Sequence, residues 1–269
     1  MKAFFVHFSF EFRTGVRNKQ LLLMNYLFPL GFYLMMGFIL VGINPFFLES
    51  MIPGMVIFAI LAATLLGIPT PLVNARENGI FRSYKINGVP IFSILIIPVL
   101  TTMLHLFIVA VIIAVTGSLL FHAPSPTHWF MFAVIFFVTA FCMSGAGVLI
   151  GVISANARLT VLYSQLLFLP SILLAGIMMP YSMLPGPAAA ISRLLPSTLA
   201  MNAFVGLAMG SAAHFNPWGA MATLLAGGAV AFGLAALLFS WDRRNAKRRG
   251  HPIMALLFFL PFAVGILAG

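Results

Sequence analysis

The chain has 269 residues, of which 62% are hydrophobic and 7% charged; soluble domains run at about 45–50% and about 25%, and no water-soluble fold of this size hides so much apolar surface. Its net charge of +10 sits in short clusters between apolar blocks rather than on a continuous basic face, which argues against nucleic acid as a partner. One cysteine, Cys142, excludes an intrachain disulfide.

From the N-terminus, Glu11 and Arg13 interrupt the opening apolar run and no small-residue cleavage site follows, so this is not read as a cleaved signal peptide. Phe5, Phe8, Phe12 and Val16 form an apolar stripe with Arg13, Thr14, Arg17 and Asn18 opposite. That pattern predicts an amphipathic helix over residues 2–20 lying in the membrane interface. Phe8, Phe10 and Phe12 also alternate with polar neighbours as a strand would; the adjoining membrane span favours the helix.

Uncharged runs follow at about residues 22–42, 52–73, 89–118, 129–153, 159–179 and 216–240, each near the length of about 20 residues needed to cross about 30 Å of hydrocarbon. Threading these six spans places Lys2, Arg13, Arg17, Lys19, Arg76, Arg82, Lys85, Arg158 and the basic residues of 243–249 on one side, and only Arg193 on the other. This bias of 13 to 1 puts the N-terminus and the basic tail in the cytoplasm of a multi-pass plasma or inner membrane protein. Phe46, Phe47 and Trp129 at one boundary and Trp241 at the other suit interfacial anchors.

Between the second and third spans, Asn74 with Glu77 resembles a capping box, and Gly88 followed by Pro90 is a stop signal; a short cytoplasmic helix is expected over 74–88. Gly145, Gly147 and Gly151, and Gly227, Gly228 and Gly233, permit close helix approach in the fourth and sixth spans, either within a protomer or between two. Residues 181–216 are apolar but broken by Pro185, Pro187 and Pro196. They are expected to form two short helices in an outer re-entrant hairpin, the second capped by Ser197 and running to about Gly210. A last apolar run, 252–269, is marginal for a span; a seventh span, an interfacial piece and a re-entrant piece all remain open.

The chemistry is sparse. Glu11, Glu49, Glu77 and Asp242 all fall at loops or span ends, whereas ion-coupled transporters place ionisable groups at the midplane. No phosphate loop, zinc ligand set or hydrolase constellation occurs, so no catalytic, cofactor or metal residue is assigned and the chain alone is not read as an enzyme. His105 is the one ionisable side chain deep within a span: either it lies on a substrate pathway, or it is a neutral imidazole hydrogen-bonded to a neighbouring helix.

Together these elements resemble the ABC-2 type permeases, the membrane halves of ATP-binding-cassette exporters, over about residues 1–245. The likeness rests on Arg76-Glu77-Asn78-Gly79 leading to Gly88-Val89-Pro90, and on Gly176-Ile-Met-Met-Pro180 with Pro185 and Leu195-Pro196. It implies an all-α transmembrane domain, the 74–88 helix being a coupling helix that docks on a separate ATPase. Arg76, Glu77, Arg82 and Lys85 would then face that partner or the interface helix, with Phe81 and Tyr84 as apolar anchors. It also implies two ATPase copies, a homodimer as the simplest pairing, and ATP bound by the partner rather than by this chain. The sequence departs from the family in two places: Ala203–Gly206 is uncharged where the outer hairpin helix often carries an arginine, and 252–269 extends past the usual end. Phe- and Met-rich spans suit an amphipathic or lipid-like cargo such as a drug, peptide or glycolipid, and equally reflect lipid exposure. A polysaccharide exporter is the nearest alternative; an ion-coupled transporter, a membrane-embedded enzyme and a non-transporting scaffold are the others.

Overall fold

The computed structural model describes residues 19–44, 47–178, 180–242 and 250–268. The interface helix expected over 2–20 falls outside them except for its last two residues, as do Phe46, Met179, the basic residues of 243–249 and Gly269.

Six helices are long and apolar enough to cross a membrane: α1 (Leu23–Ile43), α2 (Phe47–Glu77), α4 (Ile91–Phe121), α5 (Trp129–Ile153), α6 (Ala157–Leu174) and α9 (Pro217–Leu238). Between them lie a short helix α3 (Ile80–Ile86), a bent pair α7 (Gly186–Ser192) and α8 (Pro196–Ala208), and a C-terminal helix α10 (Pro252–Leu267). No strand occurs among the described residues. This is the all-α membrane architecture that the uncharged runs predict, and each of the six helices overlaps one of those runs. With no water in the hydrocarbon, each backbone N–H and C=O must be satisfied inside its own helix, so a run of this composition has no other stable conformation.

The spans divide into core and periphery. In α2, 94% of the most apolar window is buried, and in α5 72%, against 22% in α1 and 28% in α6. Helices α5 and α9 pack along their length, with α2 against the other face of α5. Close approach depends on glycine at Gly147, where a Cβ would fall on the carbonyl oxygen of Thr64 in α2. Gly145 and Gly228 likewise meet across α5 and α9, so these small residues serve contacts within one chain; Gly233 has nothing within 4 Å.

Two local expectations are corrected. Asn74 does not open a helix: α2 continues through it to Glu77, and the Asn74 carbonyl accepts the Asn78 N–H at 2.9 Å as in any helix end. The short helix therefore begins at Ile80, and the Asn74/Glu77 spacing is no capping box. Nor does Ser197 cap α8. Pro196 takes the first helical position after an extended Leu195, its fixed φ already suited to a helix start. Ser197 is thereby carried into the helix, with a buried hydroxyl that has no hydrogen-bond partner among the described residues. The two limbs α7 and α8 meet at 91°, an elbow rather than a parallel hairpin. Residues 196–204 are buried throughout, which is the condition for broken helix at membrane depth.

Helix α10 runs back along α9. A Cβ on Gly250 would meet Leu238, one on Gly227 would meet Phe262, and one on Gly265 would meet Thr223. Contact thus progresses from the end of α9 towards its start. Residues 252–259 are 3-10 helix and the remainder is α-helix. At about 2.0 Å and about 1.5 Å per residue the segment is close to ~30 Å long, as long as the hydrocarbon is thick.

Candidate functional site

The loop between α2 and α4 is the one non-spanning element on the basic side that folds as a helix of its own among the described residues. Asn78 ends α2, and Gly79, at φ +74°, turns the chain in the left-handed region that a side chain would strain. Helix α3 then runs for seven residues. Its end is closed by N–H donations from Gly88 to Lys85 and from Val89 to Tyr84, and Pro90 caps the start of α4.

Three contacts fasten this loop to the ends of other spans. Arg76, in the last turn of α2, is buried. Its guanidinium donates to the carbonyl of Val152 at 2.8 Å and to that of Ser154. These are carbonyls at the C-terminus of α5, which lack partners within their own helix and lie at the negative end of its dipole. A planar cation with several donors satisfies both needs at once. Phe81 is also buried, its ring 5.4 Å from that of Phe239 at the end of α9 and 6.4 Å from that of Tyr84. Arg82 forms an ion pair with Asp242, just past α9. Because the Arg82 side chain is 59% exposed, that pair contributes at most about 1 kcal/mol.

The residues singled out by sequence therefore part into two groups. Arg76 and Phe81 face inward and position the loop; Glu77 and Tyr84 are half-buried; Arg82 and Lys85 are exposed. Sequence reasoning missed the apolar part of the exposed face. Ile86 is 80% exposed and Ile80 42%. It also missed Asp242, whose lone negative charge beside the basic run 243–249 was the available signal.

His105 lies apart from this loop. It is buried in α4, and its Nδ1 is 2.7 Å from the hydroxyl of Tyr26 in α1. A second α1–α4 tie pairs Tyr33 with Thr116 at 3.0 Å. The imidazole is thus hydrogen-bonded to a neighbouring helix. Tyr26 lies within a π turn of α1, Leu23–Leu27, which touches a π turn of α2, Ala62–Gly67. Among the described residues no group of three or more His, Cys, Asp or Glu side chains is placed to hold a metal.

The family model described as ABC-2 type transporter matches residues 2–209. That range covers α1 to α8 and stops short of α9 and α10. No curated protein and no solved structure matches the chain significantly.

Proposed function

Since this chain belongs to the ABC-2 type transporter family, we propose that it is the permease subunit of an exporter, moving an amphipathic or lipid-like substrate outward on ATP hydrolysed by a separate subunit. Two chains pair as a homodimer with two ATPases, the basic side faces the cytoplasm, and α3 is the coupling helix. Helix α10 crosses the bilayer as a seventh span.

The observation that carries this reading is the anchoring of α3. It is continuous with α2 and α4, joined to α5 through Arg76 and to α9 through Phe81 and Arg82. Ile86 and Lys85 project from it into solvent. A seven-residue helix that grips the ends of four spans and presents an aliphatic tip is built to receive a push and distribute it. When the ATPases close on ATP, the loop moves with its seat, and the spans exchange one packing for another. For a switch between two packings, ATP need favour one of them by only a few kcal/mol.

The division of labour follows from side-chain chemistry. Ile86 and Ile80 bury apolar area in the partner's groove, Lys85 and Ser83 supply polar contacts at its rim, and Arg76 and Phe81 keep the loop rigid. His105 and Tyr26 hold α1 against α4, so that α1 follows the same movement.

The test is reconstitution of the full chain with its ATPase in proteoliposomes. Ile86→Asp should abolish ATPase docking and ATP-driven transport while leaving the chain folded. If both persist, the coupling role of α3 is wrong. Transport driven by an ion gradient with no ATPase present would instead overturn the exporter reading and leave α3 a structural loop.

A further inference from the structure

A cavity of about 410 Å³ lies between the elbow of α7 and α8, the first turns of α9, and α10. That size lies in the range of about 300–1,000 Å³ that holds small molecules. Gly219, Ala222 and Ala226 recur on one face of α9 and leave the space open, while Phe262 and Gly265 of α10 form the far wall. The groove extends from Asn216 to Ala226, about 15 Å of helix rise at about 1.5 Å per residue. Its walls are mostly apolar along that length, Thr223 being the polar exception, and its mouth, marked by Asn216, lies at the side opposite α3.

Arg193 stands at that mouth. By the threading of the spans it is the one Lys or Arg of the described residues on that side. Its guanidinium carbon sits 5.2 Å from the centre of the Phe215 ring. Its Nε is buried and makes no hydrogen bond among the described residues, and none of their carboxylates pairs with it. A guanidinium stacked on an aromatic ring is held in place, yet the ring satisfies none of its donors. The N-terminus of α9, capped by Asn216, adds the positive end of a helix dipole beside it.

We propose that this groove binds one anionic phospholipid from the leaflet opposite the basic face, its phosphate on Arg193 and one acyl chain along Gly219, Ala222 and Ala226. The chemistry is complementary at both ends: a planar cation with unused donors suits a phosphate, and a bare apolar slot suits a hydrocarbon chain. The groove joins Arg193 and Leu199, inside the range the family model covers, to α10 and the start of α9, which lie outside it.

Full-length protein, purified in detergent and stripped of lipid, is titrated with palmitoyl-oleoyl phosphatidylglycerol or phosphatidylcholine and read by native mass spectrometry. The wild type should hold one phosphatidylglycerol with a preference of roughly tenfold, because both lipids present the phosphate but phosphatidylcholine also sets its choline cation against Arg193. Arg193→Gln should erase the preference while the chain still folds. Ala222→Leu, at an exposed position where folding is not at stake, should fill the slot and remove both lipids. Retained preference in Arg193→Gln overturns the phosphate assignment, and unchanged retention in Ala222→Leu overturns the slot. Displacement by millimolar inorganic phosphate would mean an anion site without a lipid. A change of oligomer mass in Ala222→Leu with lipid binding intact would mean that a second copy occupies the groove. Either outcome refutes the proposal.

Discussion

Replacing Arg76 by Met removes a buried cation from the joint between α2 and α5 while keeping most of the side-chain volume. Two hydrogen bonds are lost, to the carbonyls of Val152 and Ser154, each charge-assisted and worth about 1.5–3 kcal/mol. The favourable placement at the α5 C-terminus, about 0.3–1 kcal/mol in ordinary cases, goes with them. Partial access of water to the freed carbonyls offsets some of this, because they lie at a span end. The net expectation is a loss of about 3–5 kcal/mol, the sum of these contributions less that offset. Arg76→Lys, a point charge with no fork, should keep one contact and lose about half as much. Reversible unfolding of the purified chain in mixed micelles, followed by circular dichroism, measures both. A loss below about 1 kcal/mol for Arg76→Met would refute the claim that this guanidinium caps α5.

Three further outcomes follow from the packing. Phe81→Ala should destabilise by about 3–5 kcal/mol as a large-to-small change at a buried site, and in the same unfolding assay a value near zero would mean that the ring does not fasten α3 to α9. Gly147→Ala should lower the yield of folded protein sharply, because its Cβ falls on the Thr64 carbonyl, whereas Gly233→Ala, with nothing within 4 Å, should be neutral or gain up to about 1 kcal/mol; equal yields of the two by size-exclusion chromatography would contradict the close α2–α5 contact. A cysteine placed at Leu267 should react with a membrane-impermeant maleimide from outside intact cells, and protection there with labelling only after lysis would mean that α10 does not cross.

The spans were legible in the sequence because the bilayer leaves so few choices. A run of twenty apolar residues in hydrocarbon is a helix. Gly145, Gly147, Gly151, Gly227 and Gly228 were legible as close-packing residues, though not which neighbour each met, and Gly233 has none within 4 Å. What failed was local capping chemistry. Asn74 and Glu77 have the spacing of a helix start, but the α2 backbone ladder was already running through them. Ser197 has the side chain of a cap, but Pro196 ahead of it fixed the start two residues earlier. The parting of the loop into inward and outward residues was not legible either. Arg76 reads as a surface charge until the C-terminal carbonyls of α5, brought to it by a contact distant in sequence, supply its partners. Ile86 reads as ordinary helix filling until α3 is placed with that side away from the spans. The tail was ambiguous for a geometric reason: counting residues assumes an α-helical rise, and half of α10 rises further per residue.

The central claim, that α3 is where the ATPase docks, is tested most directly by cross-linking. The chain's single cysteine is buried in α5, so a cysteine introduced at Ile86 is the reactive one in an otherwise silent background. With the assembled transporter and a short maleimide–diazirine reagent, coupled to the cysteine and then irradiated, Ile86→Cys should form an adduct of the combined mass of permease and ATPase, and Leu119→Cys at the far end of α4 should form none. A complex that assembles and transports but gives no adduct from position 86, or gives one equally from position 119, would contradict the account.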